Sequence, residues 1–263
     1  MTLIITTATK EMVFQVADTR LTAMDGSAYY DDNIKTTVVH CSDSKLLFSY
    51  TGLAYIDYIR TDKWLVNILK DNKVWEMNFP QCVKFTESEL TKSMSRNNNL
   101  KKYPLTFVIT GLGLNNDKRD IAGALITNDD KFVPKHNLIN HQKIEGKFGS
   151  VFYQSDPKLP LYWSVYGAID ITPEMKSLKR QIEKIIVKAK TNQQLDEIMH
   201  YLVAILRLQR KSVKVGRLIS DDCTVAHIGS DYTGSLFYFS EGNKQKRFPN
   251  IVSKEYVTPT NAG

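Results

Sequence analysis

The chain has 263 residues, 42% hydrophobic and 24% charged, a balance that supports a sizeable core without disulfide or metal staples and excludes a disordered chain. Its net charge of +7 comes from 35 Lys and Arg set against 28 Asp and Glu. The basic residues are dispersed, and the densest run, Lys244-Gln245-Lys246-Arg247, has no recognition module around it, so the charge reads as solvated surface and argues against a nucleic-acid partner.

The opening Met1-Thr2-Leu3-Ile4-Ile5 lacks the basic region and long apolar core of a signal peptide. No stretch approaches the roughly 20 apolar residues of a membrane span, and the expectation is a cytoplasmic protein with no membrane partner. Leu3 to Thr7 and Met12 to Ala17 are apolar, β-branched runs that predict a buried hairpin. Ile34 to His40 and Lys45 to Tyr50 predict a second pair around Ser42-Asp43-Ser44, ending at Gly52. Leu53 to Lys70 then predicts a helix, with Ile56, Ile59, Leu65, Ile68 and Leu69 on one face, and a weaker helix follows over 85–95.

Strands are predicted at Leu105 to Thr110, Ala122 to Thr127, Val151 to Tyr153 and Leu161 to Val165, with an irregular polar excursion over 129–149. Thr172 and Pro173 open one helix as N-cap and first helical residue. Thr191-x-x-Gln194 opens the next as a capping box. Strands at Cys223 to Ile228 and Ser235 to Phe239 close the core. The order of strands, two helices, strands, two helices and strands implies an α+β fold, in which two sheets between two helical layers cover every apolar face. The expectation is one domain over 1–240 with a loosely held polar tail over 241–263.

The chemistry concentrates at the N-terminus. Removal of Met1 makes Thr2 the first residue, with a hydroxyl and a free α-amine on the same residue. An α-amine titrates near 7.7–8.0 and so serves as a general base at neutral pH. Asp18 ends the second predicted strand and Lys35 begins the third. A lysine beside Thr2 stabilises the alkoxide and lowers the pKa of the amine, and a carboxylate orients the lysine.

Gly111-Leu112-Gly113 is followed by Asn116, so the dinucleotide fingerprint fails. His136 and His141 have no partners at metal spacing. His40, His200 and His227 read as packing residues. Cys41, Cys82 and Cys223 are odd in number and form no C-x-x-C pair, so they read as free thiols.

The segments T-L-I-I-T from Thr2, V-A-D-T-R from Val16, I-K-T-T-V-V from Ile34 and S-Y-T-G-L-A from Ser49 resemble proteasome β-type subunits. They are most similar to the small bacterial proteasome-related proteins that begin directly with Met-Thr. Asp18 stands sixteen positions after Thr2, as in that family, and Lys35 stands one position later than the family's lysine. The resemblance implies the four-layer αββα sandwich of the proteasome-like N-terminal-nucleophile (Ntn) hydrolases, with Thr2, Asp18 and Lys35 as catalytic residues. Backbone groups at Gly52 would line the substrate channel and stabilise the oxyanion.

The resemblance further implies a peptidase acting on peptide or unfolded protein, a homo-oligomeric ring or spiral, a possible ATPase partner, and no metal or organic cofactor. Two departures stand against it. The turn Tyr166-Gly167-Ala168 lacks the family's serine, and the family's Asp and Ser after the fourth helix fall out of register, leaving Ser220 or Asp221 as substitutes. A non-catalytic ring or scaffold subunit is the rival reading, and an amidase for a small acyl substrate shares the chemistry.

Overall fold

Short β-branched runs separated by polar turns pair into sheets when both of their faces are covered. The computed structural model describes residues 2–22, 28–30, 33–96, 101–115, 118–129, 147–154, 161–167, 169–229, 234–240, 243–247 and 250–255. Its opening strands are β1 (Ile4–Ala8), β2 (Val13–Asp18), β3 (Leu21–Thr22), β4 (Ala28–Tyr30), β5 (Thr36–His40), β6 (Ser44–Gly52), β7 (Tyr55–Ile56) and β8 (Ile59–Arg60). Helices α1 (Thr61–Asp71) and α2 (Phe79–Arg96) follow. Next come β9 (Leu105–Asn115), β10 (Lys118–Thr127), β11 (Gly149–Gln154) and β12 (Tyr162–Tyr166), then α3 (Pro173–Ile186) and α4 (Asn192–Lys211). The chain closes with β13 (Cys223–Ile228), β14 (Gly234–Ser240), β15 (Asn243–Arg247) and β16 (Asn250–Val252).

The chain divides into two compact units. The first comprises Met1–Lys35 and Asp156–Phe248, and the second Thr36–Ser155 and Pro249–Gly263. The first unit holds an antiparallel six-stranded sheet in the order β12-β1-β2-β13-β14-β15. Leu3, Ile5, Phe14, Val16 and Val225 from this sheet pack with Met175, Ile182, Ile198, Leu202 and Leu206 of α3 and α4. The alternate residues are buried too, and they mix apolar Ile4, Ala8, Val13 and Ala17 with polar ones: the Gln15 side chain donates to Thr6 Oγ1 at 3.1 Å across the β1–β2 pair.

The second unit orders its sheet β11-β10-β9-β6-β5-β16, with only the β16–β5 pair parallel among its described strands. Leu46, Phe48, Tyr50, Phe107 and Ile109 pack with Trp64, Leu65, Leu69, Val83 and Leu90 of α1 and α2. Its alternate residues again pair through hydroxyls, Thr36 with Ser49 at 2.6 Å and Thr106 with Thr127 at 2.7 Å. Each sheet thus has one aliphatic face for its helices and one buried face that mixes apolar residues with paired polar ones.

Both caps expected on α3 and α4 form. Thr172 accepts from the Met175 N–H, and Thr191 and Gln194 make the reciprocal capping box. Such caps contribute about 1 kcal/mol each. The helix expected from Leu53 begins only at Thr61. Residues 55–60 instead form a hairpin whose turn, Asp57 and Tyr58, has φ of 49° and 66°. Thr61 fixes the start by donating its N–H to Ala54 O and its hydroxyl to Leu53 O, while Asp62 in the first turn pairs with Arg60. A carboxylate in the first turn complements the positive end of the helix.

Helix α2 starts six residues earlier than expected, because Asn78 and Gln81 exchange backbone-to-side-chain bonds of capping-box type, each 2.9 Å. Within the tail expected to be loosely held, β15 joins the edge of one sheet and β16 pairs with β5. Lysines suit such an edge, and Lys244 pairs with Asp196 while lying 4.2 Å from the Phe237 ring centroid. Among the described residues, no helix is long and apolar enough to cross a membrane. The excursion expected over 129–149 lies mostly outside the described residues.

His40 ends β5 opposite Lys45, and burial together with the Lys45 charge lowers its pKa to about 4. Folded His40 therefore stays neutral down to about pH 4, whereas the unfolded residue protonates below about 6.5. The stability of the neutral form is present above 6.5 and is lost as pH falls towards 4. In urea denaturation between pH 7 and pH 4.5, the wild-type midpoint should drop further than that of His40→Gln.

Candidate active site

Three chain segments of the first unit converge on one buried ammonium. Thr2 leads into β1, whose Ile4 lies opposite Ala17 on one side and Tyr166 on the other. Asp18 is the last residue of β2, and Lys35 is the last residue before β5. Lys35 Nζ donates to Thr2 Oγ1 at 2.5 Å and to the Arg20 carbonyl, and it lies 3.6 Å from Asp18 Oδ1. Thr2 is 4% exposed, Lys35 1% and Asp18 0%.

Asp18 is held by backbone donors on both sides. The Leu3 N–H reaches its Oδ1 at 2.9 Å and the Arg20 N–H its Oδ2 at 3.2 Å, while Asp18 returns its own N–H to Leu3 O. Burial pushes the Asp18 carboxyl above its ordinary range, opposed by the Lys35 charge and by N–H donors of Leu3 and Ser220. Asn33 brings in the Lys35 segment by donating its N–H to Thr19 O. A hydroxyl that accepts from an ammonium is more readily stabilised as an alkoxide, and Thr2 Oγ1 is the hydroxyl placed so here.

Gly167 is the fourth component. Its φ is +101°, and a Cβ there would stand 1.7 Å from the Thr2 carbonyl oxygen. Only glycine lets the end of β12 approach the Thr2 backbone so closely. The turn that lacks the family's serine therefore still seats Thr2. Ala168, beside it, lies outside the described residues.

Thr2, Asp18 and Lys35 meet as their spacing implies. Gly52 belongs to the second unit, where a φ of +110° and a Pro104 carbonyl 2.1 Å from any Cβ require glycine. Of the two substitutes in the turn after α4, Ser220 accepts the Asp222 N–H on its Oγ, and its backbone N–H acts to lower the Asp18 pKa against burial. Asp221 is 69% exposed and pairs with Arg210 instead. Asp222, which the sequence reading passed over, accepts the Thr19 N–H and hydroxyl on its carbonyl, both at 3.2 Å. A run of Ser-Asp-Asp before a strand is a turn signal, but nothing in the sequence ties it to residues 18 and 19.

Among the described residues, no three His, Cys, Asp or Glu side chains gather at metal-binding distance; His136 and His141 lie outside those residues. Cys41, Cys82 and Cys223 are free thiols. The hydrogen bond with Cys41, and then burial, push the Cys82 thiol well up, and burial raises Cys223, as fits inert core residues.

No family model matches the chain, and no curated protein does. Among solved structures, it is similar to the Gly-1 mutant of Anbu from Hyphomicrobium sp. strain MC1, at 10% identity over 94% of this chain and 87% of that one, with a TM-score of 0.52. It is also similar to Anbu, an ancestral beta-subunit, from Yersinia bercovieri, at 12% identity over 93% and 86%, with a TM-score of 0.50. The eukaryotic HslV of Trypanosoma brucei aligns at 10% identity over 86% and 99%, with a TM-score of 0.41. The likeness to Anbu is one of fold, and the fold is that of the proteasome-like Ntn hydrolases.

Gly167→Ala should cost about 1–3 kcal/mol from its backbone conformation alone. Gly123→Ala, whose Cβ would meet Tyr153 Cβ at 3.4 Å with no positive φ, should change stability by less than about 1 kcal/mol. Urea denaturation of the two variants against wild type checks the difference.

Proposed function

We propose that the chain is a threonine-type peptidase of the proteasome-like Ntn class, acting through Thr2 after Met1 is removed. The observation that carries this reading is the buried contact of 2.5 Å between Lys35 Nζ and Thr2 Oγ1, backed by Asp18. Thr2 Oγ1 attacks the scissile carbonyl, and its own α-amine takes the proton and passes it to the departing amine as the C–N bond breaks and the acyl-enzyme forms. Lys35 stabilises the developing alkoxide, Asp18 orients Lys35, and water hydrolyses the acyl-enzyme. The oxyanion role of the Gly52 backbone and the αββα layering are parts of the same proposal.

The rival is a non-catalytic ring or scaffold subunit. The absence of a serine in Tyr166-Gly167-Ala168 favours it, since that turn seats Thr2 without offering a serine hydroxyl.

The intact mass of active preparations should be lighter than the encoded chain by one methionine, and a β-lactone should modify Thr2 alone. Lys35→Met, which keeps the stem volume, should slow that labelling by about 10²–10³. Asp18→Asn should slow it less, because the ammonium remains. A wild-type protein with a free Thr2 amine that resists the lactone would leave the scaffold reading standing.

Either reading calls for a closed homo-oligomer built on the described fold, with substrate peptide and any ATPase partner meeting the assembled form. Light scattering at micromolar concentration should give a mass several times the 30.0 kDa of one chain. A monomer would count against both readings.

A further inference from the structure

Asp18 is fixed by the N–H groups of Leu3 and Arg20, and its neighbour Thr19 is fixed by the turn that precedes β13. In the sheet, Cys223 lies opposite Asp18, and Thr224 lies opposite Ala17 on one side and Tyr238 on the other. This turn has its own internal bond, from the Asp222 N–H to Ser220 Oγ at 3.1 Å. Its carbonyl at Asp222 accepts twice from Thr19. The Asp222 side chain points the other way, to β14, where the Tyr238 hydroxyl donates to its Oδ2 at 2.8 Å. Tyr238 is buried and its hydroxyl bond spans the β13–β14 edge.

We propose that Tyr238 is a positioning residue of the Thr2 site: through Asp222 it holds the 220–222 turn so that the Asp222 carbonyl stays on Thr19, the residue next to Asp18. This rests on the threonine-nucleophile reading of that site. The chain of contacts runs from Tyr238 Oη to Asp222 and through its carbonyl to Thr19, next to Asp18. From Asp18 it passes to Lys35 and Thr2 Oγ1. Nothing in the hydrolysis mechanism uses Tyr238 or the Asp222 side chain, yet a hydroxyl–carboxylate bond is an ordering device that an apolar pair at this strand edge would lack.

The groups that set the Asp18 charge are Lys35 and the amino terminus of the chain, with the N–H donors of Leu3 and Ser220; the Cys223 thiol on β13 lies opposite and itself feels the Asp18 charge. Loss of the Ser220 donor removes one stabiliser of the carboxylate and leaves the other groups in place, so Asp18 should titrate at higher pH in Tyr238→Phe.

The test is a carbon-13 NMR titration of the Asp18 carboxyl in Met1-free protein, assigned with Asp18→Asn. Tyr238→Phe and Asp222→Ala should both raise the Asp18 midpoint, by about half a unit or more. Asp222→Asn keeps an acceptor for the tyrosine and should stay near wild type. The double variant Tyr238→Phe with Asp222→Ala should shift no further than either single one. Lactone labelling of Thr2 in Tyr238→Phe should slow several-fold, with a melting temperature near that of wild type.

An Asp18 midpoint unchanged in Tyr238→Phe overturns the proposal, whatever happens to the melting temperature. If wild type takes up no lactone, the peptidase reading fails, and the Asp18 titration still decides the role of Tyr238 by itself.

Discussion

A lysine ammonium at 1% exposure has lost nearly all its water, and desolvation of that kind costs several kcal/mol per ion. Lys35 offsets the cost with the Asp18 carboxylate, the Thr2 hydroxyl and the Arg20 carbonyl. Those acceptors come from the chain start and from the end of β2, while Lys35 itself arrives from the segment before β5. Unless all three meet, a charge is stranded in the interior, and removal of one partner from such a pair costs about 3–5 kcal/mol. The ammonium is therefore the constraint around which the start of the first unit is organised. The same fact explains why enzyme and scaffold readings share this trio: a geometry kept for hydrolysis and one kept for folding look alike until the Thr2 hydroxyl and amine are asked to react.

The polar half of each sheet follows a related logic. Thr6, Gln15, Thr36, Ser49, Thr106 and Thr127 occupy positions where a buried strand ordinarily places aliphatic residues. Their side chains are paired across neighbouring strands, which satisfies the hydroxyls without water and fixes register more tightly than apolar contact alone. A one-residue slip would break these pairs and turn the aliphatic face away from its helices at once.

The sequence was most legible where a single physical signal dominated. β1, β2, β5 and β6 announce themselves as apolar runs, and α3 and α4 carry caps written in Thr172, Pro173, Thr191 and Gln194. Residues 53–60 misled because Ile56 and Ile59 fit a helical stripe and a hairpin equally well, and two positive-φ residues without glycine leave no turn signature. β15 was unreadable for the opposite reason: Asn243-Lys244-Gln245-Lys246-Arg247 has no apolar alternation, and only the ladder with β14 makes it a strand. In the site, Thr2, Asp18 and Lys35 were legible from spacing within the first 35 residues. Asp222 was not, because its contact with Thr19 closes a loop of 203 residues that no local pattern encodes, and Tyr238 bears on the site only through Asp222.

That last separation sets a clock. Asp222 meets Thr19 across 203 positions of chain, and translation at about 5–20 residues per second puts roughly 10–40 s between the two. Through that interval the start of the chain waits without the strand that completes its pocket. On the proposed reading, this is when an aminopeptidase can reach the bond after Met1, since Thr2 afterwards retains only 4% of its surface. A chain that folded faster than it was trimmed would carry a blocked amine for the rest of its life. On that reading, the long topology that delays closure of the site also reserves the time in which its nucleophile would be made.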